Sequence, residues 1–131
     1  MPMDLKDKQV GKNKSFIASL KHAFRGIVTV FKEERNMRSH LLSAVLSLVL
    51  CWLFHVSTVE WFMILFCCFL VIIIEVLNTV VENIVDLVTG CSYHPIAKKA
   101  KDMAAAAVLI AASFSLLIGC IVFLPKLIEL F

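Results

Sequence analysis

Glycine and proline are scarce in this chain, with four and three copies among 131 residues. No GxxxxGK[ST] phosphate loop occurs, and neither an HRD nor a DFG tripeptide, so the P-loop and protein-kinase architectures are excluded. The five cysteines form no CxxC pair, and four of them (Cys51, Cys67, Cys68 and Cys120) fall in apolar runs. A structural zinc site or a disulfide framework is not expected, because membrane cysteines commonly act as small apolar residues. Charge is thin as well. Only 18% of the residues are charged, against 60% hydrophobic. That balance removes the chain from the soluble globular class and points to a single integral membrane domain.

The apolar residues are gathered into three candidate spans, at about 39–59, 60–88 and 103–125. The first, Ser39 to Val59, holds only His40 and His55 as titratable groups. The third, Met103 to Pro125, carries no charge. Each is long enough to cross about 30 Å of hydrocarbon at 1.5 Å per residue. No signal peptide is expected, since the first apolar run starts near residue 39 behind a charged leader.

Basic residues set the orientation. Nine of the thirteen Lys and Arg precede the first span, and Lys98, Lys99 and Lys101 sit between the second and third. The turn around His55 to Glu60 has none. The N-terminus and the Lys98–Lys101 link are therefore expected in the cytosol, with the first turn and the C-terminus outside. The net charge of +3 reads as orientation and headgroup attraction, and no nucleic-acid module is visible.

Residues 1–14 are polar and Lys-rich, and are expected to form a flexible tail. From Phe16 the pattern changes. Phe16, Ile17, Leu20, Phe24, Ile27, Val28 and Phe31 recur at three- and four-residue spacing, while Lys21, Arg25 and Lys32 fall mostly on other faces. An amphipathic helix over about 15–36 is expected to lie in the cytosolic headgroup region. The expected fold is thus all-α, with three transmembrane helices and one surface helix.

One polar stripe interrupts the second span: Glu75, Asn78, Thr79, Glu82 and Asp86. At about 100° per residue, Glu82 and Asp86 each lie roughly 20° from Glu75, on either side of one line. Ionisable groups in a span cost about 2.5–3.5 kcal/mol each on insertion scales. Carboxylates can also serve by bonding neighbouring helices or by reaching water at a helix end. Three acids and an Asn on one face point instead to an active site. If the span enters at Trp61, its far hydrocarbon edge falls near residue 80, with Glu75 roughly 7 Å inside. Glu82 and Asp86 then stand at the water edge. The third span opens Lys101-Asp102-Met103 into four alanines, a face that lets helices approach closely. Its positive end, beside Lys101, suits an anion, although helix packing and positive-inside charge explain the same residues.

These residues resemble the prokaryotic integral-membrane lipid kinases, the family of diacylglycerol kinase and undecaprenol kinase. The similarity spans roughly residues 18 to 128. Its most specific part is Glu75-x-x-Asn78-Thr79-x-x-Glu82-x-x-x-Asp86, followed by Ala100-Lys101-Asp102 and a small-residue run to Ala107-Val108. Glu34-Arg35-Asn36 matches as well. The Tyr93-His94-Pro95-Ile96-Ala97 loop and Phe123-Leu124-Pro125-Lys126 resemble the Gram-positive undecaprenol kinase branch more than the diacylglycerol kinase branch.

The resemblance implies one kinase domain over residues 15–131, in a homotrimer that shares its sites between subunits, in the plasma membrane of a bacterium. It implies transfer of phosphate from ATP to the primary hydroxyl of a membrane lipid alcohol, undecaprenol first and diacylglycerol second, at a cytosolic site. By position, Glu75 matches the general base at the lipid substrate, and Asn78 the residue supporting base and phosphoryl group. Glu34 and Glu82 match the Mg²⁺ ligands on ATP. Asp86, Ser92, Tyr93, His94, Lys101 and Asp102 match positions around the nucleotide. The basic residue that the family places at the lipid entrance has no clean counterpart, Lys14 being nearest.

Elementary chemistry agrees, since phosphoryl transfer needs oxygen ligands for a metal, cations for developing charge and a proton acceptor. A small proton- or cation-coupled carrier would also use Glu75. It leaves the gathering of Glu34, Glu82, Asp86, Lys101 and Asp102 at one face unexplained. A purely structural membrane subunit explains none of the stripe.

Overall fold

A computed structural model of the chain describes residues 15–131. The tail expected over 1–14, with Lys14, lies outside the described residues. Among those described there are four helices and no strand: α1 (Phe16–Glu33), α2 (Arg35–Leu53), α3 (Thr58–Thr89) and α4 (Pro95–Ile128). Three of them, α2, α3 and α4, are long and apolar enough to cross a membrane. At 32 and 34 residues, α3 and α4 measure about 50 Å each. Both exceed the thickness of the hydrocarbon layer, so each must tilt or project from it.

Local chemistry moves several boundaries from where apolar runs alone place them. The first helix ends at Glu33 rather than near residue 36, because Glu34 turns to extended backbone (φ −98°, ψ 116°). The Arg38 guanidinium donates to the last carbonyls of α1, at 2.9 Å to Lys32 and 3.3 Å to Phe31. The second helix stops at Leu53, six residues before the apolar run ends. His55 takes a left-handed φ of 47°, and Ser57 already caps α3. There the Ser57 hydroxyl accepts from the Glu60 N–H at 3.3 Å, and Glu60 Oε2 accepts from the Ser57 N–H at 2.7 Å. This reciprocal box satisfies two helix-end donors at once. The fourth helix starts eight residues before Met103, since Pro95 suits a first helical position and His94 Nδ1 accepts from the Ile96 N–H at 3.2 Å.

The turn at Phe54–Ser57 sends α3 back along α2, and the Gly90–His94 turn sends α4 back along α3. Gly90 (φ 59°) ends α3 in the left-handed conformation that glycine adopts without steric cost. The best-closed core lies at the first turn, where Cys51, Val56, Ile64 and Val122 pack together. Ion pairs hold α3 against α4 at both ends: Lys126 Nζ to Glu60 Oε1 at 2.9 Å, and Lys101 Nζ to Asp86 Oδ1 at 2.6 Å. The outward faces of α3 and α4 expose Phe62, Phe66, Phe69, Leu109 and Leu117, the surface that a lipid solvent favours.

Candidate active site

Helix α3 turns its polar stripe inward between α2 and α4. Glu75, in the second half of the helix, is 1% exposed, and Asn78 and Thr79 are buried beside it. The Thr79 hydroxyl donates to the Glu75 main-chain carbonyl at 3.1 Å, which satisfies it locally. Asn78 Nδ2 donates to Glu82 Oε1 at 3.1 Å. A carboxylate only accepts, so this contact fixes the amide with its NH₂ toward Glu82. Three oxygens are left over. Among the described residues, neither carboxylate oxygen of Glu75 nor Asn78 Oδ1 has a hydrogen-bond partner. Unpaired buried polar atoms cost folding free energy and are rare in finished cores. These three are the buried side-chain oxygens that the described residues leave without a bond.

The packing registers show why nothing inside the chain meets Glu75. The Ser115 hydroxyl meets the Cys67 carbonyl at 3.5 Å, and counting along the two antiparallel helices from that contact brings the buried Val108 to the level of Glu75. Valine offers no polar atom. On the other flank, Glu75 has His40 on α2 and Glu34 at the α1–α2 junction as neighbours, along with Glu82 on its own helix. Below Glu75 a groove of about 560 Å³ runs between α2, α3 and α4, lined by His40, Ala44, Cys67, Val71, Ser115 and Leu116 among others. Its lining is mostly apolar or small, and Val71 leads into Glu75 one turn later.

The sequence-chosen residues fall into four groups. Glu75, Asn78 and Glu82 share the inner side of α3, with Glu34 nearby at the α1–α2 junction. Asp86 and Lys101 form their ion pair one turn beyond Glu82, both half-buried. Ser92, Tyr93 and His94 sit in the α3–α4 turn and line a separate cleft of about 480 Å³ with Ile84, Val88 and Ile96. Ile84 lies half a turn around α3 from Glu75, but Val85 and Thr89 lie only about 80° and 40° from it, so that cleft opens on a flank of the helix. Asp102 stands on the exterior, paired with Lys98 on the next turn. His40 is the group that carried no role in the sequence reading and stands at the site.

No group of three or more His, Cys, Asp or Glu among the described residues is spaced to hold a metal by itself. Mg²⁺ does not require one, because it keeps several waters and binds through one or two carboxylates plus substrate phosphates. Glu34 and Glu82, with hard oxygen donors and partial exposure, fit that pattern. A buried carboxylate free to accept a proton, next to two carboxylates that reach water, can separate base chemistry from metal-phosphate binding.

Residues 21–123 match the family described as prokaryotic diacylglycerol kinase. The chain is 42% identical over 125 residues to the undecaprenol kinase of Bacillus subtilis, an alignment covering 95% of this chain and all of that one. It is 38% identical over 122 residues to a diacylglycerol kinase of Synechocystis, covering 93% of this chain and 69% of the relative. The diacylglycerol kinase of Escherichia coli K12 is 33% identical over 101 residues, covering 76% and 81%.

Proposed function

The chain belongs to the prokaryotic diacylglycerol kinase family, and from that premise we propose that it transfers the γ-phosphoryl group of ATP to the primary hydroxyl of undecaprenol. It is a lipid kinase of a bacterial membrane. Undecaprenol is favoured because the relative aligned over its full length, at 42% identity, bears that name, whereas the diacylglycerol kinases stand at 38% and 33%.

One observation carries the mechanism: a carboxylate 1% exposed, with both oxygens unpartnered, at the head of an apolar groove. Glu75 accepts the proton of the lipid hydroxyl, whose oxygen bonds to the γ-phosphorus while the bond to the departing ADP oxygen breaks. Asn78, anchored through its NH₂ on Glu82, supports the base and the transferring group. Glu34 and Glu82 would hold Mg²⁺ with the ATP phosphates, where the ion neutralises phosphate charge. Lys101 and Asp86, with Ser92, Tyr93, His94 and Asp102, surround the nucleotide. Lipid arrives along the groove and ATP from the cytosolic side. The carrier reading drawn from Glu75 alone gives way, since a kinase uses every acid at this end.

The rest of the assembly follows the same reading. Residues 15–131 form one kinase domain, α1 lies in the cytosolic headgroup layer on its apolar side chains, and three subunits share their sites. Purified protein in mixed micelles with Mg-ATP, offered undecaprenol and diacylglycerol in turn, tests it. Faster phosphorylation of undecaprenol is expected. A preference for diacylglycerol reverses the substrate assignment, and failure with both lipids removes the mechanism. A strictly monomeric, fully active enzyme would overturn the shared site.

A further inference from the structure

His40 is the titratable group of the inner face to which the mechanism above gives no task. Its position follows from the α2–α3 register. Cys51 and Ile64 pack in one core cluster at the turn. Eleven residues back along α2 and eleven forward along α3 lie His40 and Glu75. Eleven residues make about three full helical turns, so both side chains keep the facing direction of the pair below them. Ala44 and Val71, one turn nearer the core on each helix, line the same groove, and His40 lines its upper end. His40 accordingly stands among the neighbours of Glu75.

The other neighbours of Glu75 cannot do what an imidazole can. Helix α4 brings Val108 to this level. Asn78 has its NH₂ engaged on Glu82. Glu34 and Glu82 are carboxylates, which only accept hydrogen bonds when ionised. Both Glu75 oxygens are unpartnered, and His40, at the level of Glu75 on α2, carries an N–H able to donate to one of them.

We propose that His40 is a positioning residue for Glu75: when substrate fills the site, its imidazole turns so that an N–H donates to one carboxylate oxygen of Glu75, both of which lack a partner in the free chain, and leaves the other for the lipid hydroxyl. Such a bond fixes the rotamer of the base while leaving one oxygen free for the substrate. The inference rests on Glu75 as the base, so the two must be separated by experiment.

The test uses the purified full chain in mixed micelles, with turnover at saturating undecaprenol and the KM for Mg-ATP measured for each variant. His40→Ala should lower kcat about 10–100-fold, the scale of a misplaced catalytic group, with the KM for Mg-ATP within about twofold. His40→Gln keeps a donor at similar reach and should recover most of that loss. His40→Leu fills the volume without a donor and should behave like His40→Ala. Equal turnover in the Gln and Leu variants would show a packing role and overturn the proposal. In a Glu75→Gln background, His40→Ala should cost no more than about twofold, because the group it positions is gone. A full additional loss there would place His40 on something other than Glu75 and equally overturn it. Wild-type turnover by Glu75→Gln alone would instead remove the base assignment, whatever His40 does. Detergent-solution mass and Mg-ATP affinity, unchanged in the variants, establish that the losses are not misfolding.

Discussion

The two ends of α3 treat their polar groups in opposite ways. At the α2–α3 turn, Glu60 uses both oxygens, one on the Ser57 N–H and one on Lys126, and the apolar side chains of Cys51, Ile64 and Val122 close beside it. Toward the α3–α4 turn, Glu75 lies deeper than Glu60 and has no partner for either oxygen. A satisfied carboxylate at a helix end holds the hairpin together. An unsatisfied one in a buried place costs stability, and it is retained where chemistry needs it. The contrast separates a scaffold end from a working end within a single helix.

Replacing Glu75 makes the largest test of that division. Glu75→Gln keeps the shape and removes both the charge and the base. General-base assistance is typically worth 10²–10⁴-fold, so lipid phosphorylation should fall by about that factor while Mg-ATP affinity changes little. Thermal stability should hold or rise, since a buried charge without a partner is gone. Phosphorylation at the parent rate would remove Glu75 from the reaction and shift attention to Asp86 or Asp102.

Glu82 lies between the two ends in character, half-buried and partly satisfied by Asn78. Glu82→Gln retains an oxygen for the Asn78 NH₂ but loses the charge offered to the metal and phosphates. Mg-ATP affinity should drop about 10–100-fold, the scale of charge-assisted contacts, with the oligomer unchanged. Normal Mg-ATP binding by titration calorimetry would sink the metal assignment.

The polar stripe of α3 was legible because its signal is polar residues at helical spacing in an apolar run. Glu75, Glu82 and Asp86 fall on one line by counting alone, with Asn78 and Thr79 flanking it. The ends of the helices were not legible from apolar content. The run from Ser39 to Val59 continues through Phe54 and Val56, and only the backbone reversal at His55 breaks it. Likewise Lys98, Lys99 and Lys101 read as a link between spans, yet Pro95 and the His94 cap start α4 ahead of them. Ser92, Tyr93 and His94 match the family's nucleotide positions by sequence, but their cleft lies on a flank of α3, off the line of Glu75. Spacing along one helix says nothing about a turn beyond it. His40 escaped for a related reason. A lone His in a span carries no pattern, and its place opposite Glu75 emerges only once the turn fixes the α2–α3 register.

The scaffold end should respond in the reverse sense. Ile64, 3% exposed in the core cluster, loses its packing in Ile64→Ala. The cost should be about 2 kcal/mol, the low end for buried aliphatic truncations, because lipid weakens the transfer contribution while the cavity remains. Midpoint of unfolding in detergent should fall, and turnover per folded molecule should stay within about twofold of the parent. A collapse of turnover in the folded fraction would mean that the two ends are coupled.

The smallest effect belongs to the ion pair at that same end. Lys126→Met removes one partner of Glu60 but leaves the Ser57–Glu60 box, because the box uses the other Glu60 oxygen. Both side chains are partly exposed, at 24% and 25%, so screening leaves the pair little to contribute. The unfolding midpoint should move less than in Ile64→Ala, and the difference from the parent should shrink as salt is raised. Glu60→Ala, which takes away the box as well as the pair, should cost more than Lys126→Met by the worth of a helix cap, about 1 kcal/mol at the Ser57 N-cap. Neither variant should change turnover or the preference among lipids, since both lie about four helical turns from Glu75. Were Lys126→Met to depress phosphorylation as far as Glu82→Gln does, the ion pair would belong to the working apparatus. The two ends of α3 would then have to be treated as a single device.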